Sequence, residues 1–567
     1  MTSVLTWLDD PPADRGLRFA GDGGGDPWTF YSYEQMAYLA RQAALRLWSF
    51  GVRPGDTVLV LCPTSPEFVA HYFGALIMGA VPAAAAPPPR MGDLTEYRRG
   101  LDHVVRLIAA KAVVTTPGSV SVLAPVARDV GGLLIDASAP AATRRADFDA
   151  PAIEDLSIIQ LSSGSTGPRH GVRISLPAVQ SNVAALHRWL EMTSRDRFPT
   201  WLPLSHDMGL VGALLNPVAA GADVWLMPPE DFIRSPIRWL RLFSDLAPTI
   251  TAMPAFGLAH ILRRVPSRKL EGLDFSSWRG LIIGAERIDH DIARRFVNLL
   301  EPFGFPPRAL SPAYGMAEAT LAVTGTSLAE VHPALTVDAR SLSLGNAVKQ
   351  VPARAGRPLP PAATTVVGCG TPLPRTEVTI VDGEGTPVGE DVVGEIVIRG
   401  QALAAAVLRE AGAEQPIGAT FATGDAGFLH QGRLYVLGRL GDSVKQLGRW
   451  LFAEDIERVA WSESPSPQRT VALLGDLGGH SMAVIAVQGA LAAEEAEAIG
   501  KAVCGYAGNL RVTVMSVPVG WLLRTPSGKP MRRAMWAKFI ANGGGANVLW
   551  RTPHADEVRF DNHKEEI

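Results

Sequence analysis

Short apolar runs separated by longer amphipathic stretches occupy the chain from about residue 28 to 335. DTVLVLCP (56–63) predicts a buried strand and SPEFVAHYFGALIMGA (65–80) a helix. AKAVVTT (110–116), SIIQLSS (157–163), ADVWLMP (222–228) and GLIIGAE (280–286) predict further strands. Runs this apolar, spaced by helices, imply βαβ units in largely parallel sheets covered on both faces. Between 365 and 437 the texture changes. TEVTIVDGEG, VVGEIVIRG and FLHQGRLYVLG are β-branched and punctuated by glycine, as hairpins or a small barrel require. After Gly438 a compact α/β pattern returns, with DIERVAWSE and AAEEAEAIGKAVC as helices and RTVALLG and MAVIAVQG as strands. A boundary therefore falls near residue 440. Residues 352–363, PARAGRPLPPAA, read as an excursion from the core. The polar tail from Gly543 reads as loosely ordered.

Composition narrows the class without altering this layout. A chain of 567 residues is long for one core, and roughly two to four structural units are expected. Hydrophobic residues at 47% and charged residues at 19% are globular rather than disordered. Lys and Arg are scattered and the net charge is −3, so nucleic acid is not an expected partner. Cys62, Cys369 and Cys504 form no CxxC or Cys/His cluster, which suits a reducing cytoplasm. The N-terminus MTSVLTWLDDPP lacks the basic region of a signal peptide. The most apolar run, YFGALIMGAVPAAAA (72–86), is interrupted by Pro82 and is shorter than the roughly 20 residues that span a bilayer. A cytoplasmic protein without a transmembrane segment is expected, with nothing to indicate more than a monomer.

LSSGSTGPRHGVR (161–173) is the stretch with the most chemical promise. It is neither a Walker A loop nor a dinucleotide fingerprint. Even so, a strand feeding a turn of glycines and hydroxyls can bring bare N–H groups close to phosphate oxygens. Read alone, such a turn is more often only a turn.

SSGSTGPRHG aligns without a gap to the TSGSTGxPKG-like signature of the adenylate-forming enzymes, the acyl-CoA synthetase and luciferase superfamily. More specifically, the chain resembles the fatty acyl-AMP ligases. FYSYEQMAYLARQAALRL, WLPLSHDMGLVG, SPIRWLRLFS, GAERI, PAYGMAEATLAV, GCGTPLPRTEVTIVD, VVGEIVIRG, TGDAGFLHQGRLYVLGRLGD and RTPSGKPMRR follow in that family's order, from about residue 29 to 533. The resemblance implies an α/β fold: a large N-terminal domain (1–438) of βαβ-layered sheets with a small β-barrel-like subdomain and an insertion at about 326–366. A hinge at 439–442 then leads to a small mobile α/β lid (443–542) and the tail 543–567.

The reaction implied is ATP-dependent activation of a fatty acid to acyl-adenylate with release of pyrophosphate. Two anions must meet, so the site needs cations, aligned donors and Mg²⁺ rather than a covalent nucleophile. By resemblance, Ser163, Gly164, Ser165, Thr166 and Gly167 hold the β- and γ-phosphates. The family's loop lysine is replaced by His170, and permanently charged Arg169 is expected to take its electrostatic part. Tyr314, followed by Gly315, is implied to stack on adenine, beside the strand end Gly284, Ala285 and Glu286. Asp425 accepts from the ribose hydroxyls, and Arg439 reaches ribose or phosphate. Glu318 is an oxygen ligand suited to Mg²⁺. Lys529 bridges the carboxylate and α-phosphate, and His206 orients or gates the acyl carboxylate. Gly441 and Asp442 form the hinge. Outside this context Tyr314 would read as a packed ring, Glu318 as a solvated carboxylate, and Lys529 as a surface lysine.

Fatty acyl-AMP ligases pass the acyl group to the phosphopantetheine of an acyl carrier protein, whereas acyl-CoA synthetases use CoA. The long stretch from Tyr314 to Gly370, with VDARSLSLGNAV, resembles the ligase insertion and favours the carrier protein. Lys445 in DSVKQLG also occurs in CoA ligases and keeps that alternative open. A non-catalytic adenylate- or carrier-binding module is the remaining alternative. The chain also departs from the family pattern: Ala255 replaces an Asn, Trp450 and Ala453 replace Asn and Pro, and a Gly-Tyr-Trp-like segment is missing after VIRGQALAAA.

Overall fold

A computed structural model describes residues 4–21, 27–89, 94–129, 131–140, 151–161, 170–352, 363–409, 412–446, 449–466, 469–477, 479–508, 510–524, 529–541 and 547–553. The predicted strands at the start of the chain form the centre of an eight-stranded sheet. Its order is Glu414–Pro416, Ala406–Leu408, Gly171–Ser175, Ser157–Leu161, Val81–Ala84, Thr57–Leu61, Ala112–Thr115 and Leu133–Asp136. Along Thr57–Leu61, Val58 and Val60 enter one core while Leu59 and Leu61 enter another. That two-faced burial explains the unbroken apolar run. Helices Tyr33–Ser49 and Pro66–Ile77 pack into the first core, and Ser32 and Ser65 cap them.

A second sheet aligns Ile250–Pro254, Gly280–Gly284 and Leu310–Gly315 in parallel, then adds Ala322–Gly325 and Thr371–Pro372 antiparallel. Its core is aromatic: Phe243 stacks on Trp278 at 3.8 Å, with Trp239, Phe296 and Phe305 around them. A third, four-stranded sheet of Trp28–Ser32, Gly16–Ala20, Asp223–Leu226 and Arg197–Thr200 leans on both cores. The glycine-punctuated region becomes an antiparallel sheet of Thr376–Val381, Gly394–Gly400, Thr420–His430 and Arg433–Arg439. The ribbon Ala334–Asp338 with Ala363–Val367 shares a core with it, through Val337, Val366, Phe428 and Tyr435. The Pro-rich excursion falls outside the described residues, apart from its ends.

Past the short turn Leu440–Asp442 the chain builds a second unit with cores of its own. Its sheet runs Thr470–Leu477, His480–Gln488, Arg511–Val517 and Val548–Arg551. Helix Ala493–Ala507 covers one face with Ile499 and Val503, and Arg532–Ala541 the other with Met535 and Phe539. One expectation is corrected here: within the supposedly loose tail, Val548–Arg551 is an edge strand paired antiparallel to Arg511–Val517. Trp550 seats over Gly500 of the helix, where a Cβ would collide with its ring. Among the described residues, no helix is long and apolar enough to cross a membrane.

Candidate active site

Strand ends of the second sheet open onto a cavity of about 370 Å³. This is where parallel α/β sheets place ligands, because the chain leaves the strands there in diverging loops. Gly284 and Ala285 line one side, and Ala285 sits at φ 70° as the strand turns. Glu286, grouped with them by sequence, does not line the cavity; burial pushes its carboxyl up, opposed by the Lys529 ammonium. Tyr314, Gly315 and Glu318 form the facing wall.

Tyr314 and Asp425 come from different sheets and meet behind the cavity wall that Tyr314 and Arg439 form. The phenol donates to Asp425 Oδ2 at 2.7 Å, and Arg439 Nε lies 3.1 Å from Asp425 Oδ1. Register explains the second contact, since Asp425 and Arg439 are partners across adjacent antiparallel strands. Burial raises the Asp425 carboxyl, and the Arg439 guanidinium and Tyr314 hydroxyl pull against that rise. This buried acceptor with a tyrosine and a guanidinium suits a diol next to a flat base.

On the other side, His206 and Asp207 precede a wide helix, Met208–Leu215, whose first N–H is capped by Asp207 Oδ1 at 2.7 Å. His206 Nδ1 lies 2.5 Å from the same oxygen. Burial opposes ionisation of Asp207, but His206 and the Lys529 ammonium outweigh it and hold the carboxyl below its usual range. Lys529 itself belongs to the second unit yet lines this cavity with His206, Asp207 and Arg439.

Of the phosphate loop, Ser163, Gly164, Ser165, Thr166, Gly167 and Arg169 lie outside the described residues. His170 is described, and its Nε2 lies 3.1 Å from Glu318 Oε1. Burial would raise the Glu318 carboxyl, but the bond from His170 reverses the sign and the group falls below the ordinary range. Glu318 is therefore an ionised oxygen donor facing the cavity, which is the chemistry a hard divalent cation takes. Among the described residues no group of three or more His, Cys, Asp or Glu is arranged to hold a metal ion.

Gly441 and Asp442 occupy the turn between the units. Asp442 is buried, 3.8 Å from Arg532, which also binds Glu454 at 3.1 Å and Glu457 at 2.8 Å. Gly441 faces Arg533, whose guanidinium fills the space a Cβ would take. Across the turn Arg287 donates to Asp455 Oδ1 at 2.9 Å and to the Leu437 carbonyl at 3.1 Å.

Sequence reading missed Arg409, which lines the cavity. Leu408 pairs with Gly171, so this strand, second from the sheet edge, brings Arg409 level with His170 at the end of the loop. Its guanidinium donates to Gln415 Oε1 at 2.7 Å. The clue lay in the place where the family's usual segment is missing. Ala255 opens a helix and does not line the cavity.

The family model described as AMP-binding enzyme matches residues 11–407. The medium-chain-fatty-acid–[acyl-carrier-protein] ligase JamA of Moorena producens is 30% identical over 545 residues, covering 90% of this chain and 90% of that protein. The long-chain-fatty-acid–AMP ligase FadD32 of Mycolicibacterium smegmatis is 31% identical, covering 80% and 75%. A solved structure from work on the fatty acyl-adenylate ligases of E. coli and L. pneumophila superposes with a TM-score of 0.85 at 28% identity, covering 96% of this chain and 99% of that one.

Proposed function

The chain belongs to the AMP-binding enzymes and is an adenylate-forming ligase; from that premise we propose that it activates a fatty acid as acyl-adenylate and passes it to the phosphopantetheine of an acyl carrier protein. A carboxylate oxygen bonds to the α-phosphorus of ATP and the bond to pyrophosphate breaks. The carrier thiol then attacks the acyl carbonyl and AMP leaves. One observation carries the first step: Lys529, from the second unit, reaches the cavity wall that holds His206 and Asp207 and faces Arg439. An ammonium there draws two anions together and offsets charge that grows as the new bond forms.

The other groups divide the nucleotide among them. Gly284, Ala285 and the Tyr314 ring take adenine, and Asp425 with Arg439 takes the ribose. Ser163 to Gly167, Arg169 and His170 take the phosphates. His206, fixed by Asp207, orients the acyl carboxylate. Glu318 would hold Mg²⁺, which neutralises phosphate charge when bound. Residues 439–442 serve as the pivot of the lid.

Supporting the carrier acceptor, the insertion reaches the lid. Ser343 Oγ accepts from the Trp450 N–H at 3.2 Å, and Leu342 shares a core with Phe452. ATP–pyrophosphate exchange across a panel of fatty acids tests the first step. We expect exchange in the native chain and a fall of roughly 10²–10³-fold in Lys529→Ala, as for loss of one oxyanion donor. No exchange with any acid would favour a binding module. Supplying CoA or holo-carrier protein tests the second step; ready thioester formation on CoA would make the chain an acyl-CoA synthetase.

A further inference from the structure

Apolar lining of the cavity groups along the second sheet, away from the nucleotide end. It follows the parallel strands Ile250–Pro254 and Gly280–Gly284 back from their ends toward their starts. Ala252 and Ile282, register partners halfway along, line it on the sheet side. Helix Leu176–Leu190 supplies the opposite wall through Leu186, Trp189 and Leu190, which share one face at spacings of three and four.

Two lining residues, Leu190 and Phe198, lie by the strand starts. Phe198, 1% exposed, sits on a strand joined to that end, since the Arg197 N–H donates to Thr249 Oγ1 at 3.2 Å. The Leu190 carbonyl accepts from Arg279, the residue before Gly280, at 2.6 Å. Behind them Arg279 pairs with Asp196 at 2.9 Å, and Thr249 donates to the same carboxylate at 2.7 Å. A longer ligand would have to break this partly buried polar cluster. Trp189 narrows this apolar part of the cavity from the side. Its indole lies against Gly325, where a Cβ would fall inside the ring, and its Nε1 donates to the Thr326 carbonyl at 2.7 Å.

Strand geometry gives the length. Gly280 to Gly284 advances about 13 Å at ~3.3 Å per residue. An extended alkyl chain advances roughly 1.3 Å per carbon, from C–C bonds of about 1.5 Å. Resting on the adenylation reading above, we propose that the acid is a medium-chain one of about eight to twelve carbons, with Trp189, Leu190 and Phe198 as the length stop.

Adenylate formation with hexanoate, octanoate, decanoate, dodecanoate, palmitate and stearate tests it on the full chain. The native protein should show its highest kcat/KM between octanoate and dodecanoate, with palmitate lower by on the order of tenfold or more, as a methylene too many in a tight pocket costs. Trp189→Ala and Leu190→Ala should raise the palmitate-to-decanoate ratio by a similar factor. Ala252→Leu, filling this apolar part halfway, should shift the optimum toward hexanoate. The ATP KM should stay unchanged throughout. If Trp189→Ala precipitates, Trp189→Leu reads the same ratio. A native protein that uses palmitate as well as decanoate, or variants that leave the profile unmoved, would overturn the length stop alone. Absence of adenylate with every acid would overturn the adenylation reading and this one with it.

Discussion

His170 and Glu318 are separated by 148 positions in the chain and by 3.1 Å in the fold. Their bond, against the cost of burial, lowers the Glu318 carboxyl. A carboxyl depressed in the folded state stabilises it above the unfolded value, about 4.3 for glutamate, and loses that contribution as pH falls through the folded value. The melting temperature of Glu318→Gln should therefore trail the native protein above the unfolded value and converge on it only as pH falls through the folded one. A gap of constant size across a pH series of thermal melts would refute this. The pairing also alters the expectation for the loop. His170 already has an acidic partner and Arg173 is paired with Glu414 at 2.5 Å, which leaves Arg169 and Arg409 as the other guanidinium groups from this stretch and its paired strand. The missing segment marked the place of Arg409 but not its role, because its relation to His170 exists only through the pairing of Leu408 with Gly171.

Among the elements, those with one strong period were legible. Thr57–Leu61, Pro66–Ile77, Ala112–Thr115, Gly280–Gly284 and the lid helices Ala453–Glu463 and Ala493–Ala507 stand where their apolar patterns put them. Short strands with mixed sides were not. Gly16–Ala20 and Arg197–Thr200 gain their order from neighbours in the sheet, and Val548–Arg551 hides in a polar tail. The same limit applies to Arg287. Within GAERI it was given no role from sequence, yet its guanidinium spans the turn between units to Asp455, and both side chains are largely buried. Loss of one partner leaves a charge that is costly to keep buried, and rotating the lid into solvent relieves it. Arg287→Ala should thus slow adenylation while sparing acyl transfer from preformed adenylate. The exchange Arg287→Asp with Asp455→Arg should recover part of the loss. Rapid-quench measurement of the two half-reactions checks this, and equal slowing of both would count against it.

For the whole molecule, the decisive feature is that the second unit has its own cores, joined to the rest through Leu440–Asp442 and a limited face. Units built this way unfold separately more often than as one. Scanning calorimetry of the full chain should resolve two transitions, with a bound non-hydrolysable acyl-adenylate analogue bringing them closer, because it touches groups from both units. A single transition unaffected by the ligand would contradict that separation. The restart of hydrophobic periodicity near residue 440 was legible in the sequence. How the units face each other was not, since it depends on Arg287, Trp450 and Lys529, whose partners are remote in sequence.

The last strand has a practical consequence for anyone who shortens or extends the protein. A cut before residue 547 would strip Arg511–Val517 of its antiparallel neighbour and lift Trp550 off Gly500. The lid would then carry a bare β-edge beside an apolar hollow, a template for chain-to-chain association. Trimming the polar end would look harmless in an alignment and would instead make the protein sticky.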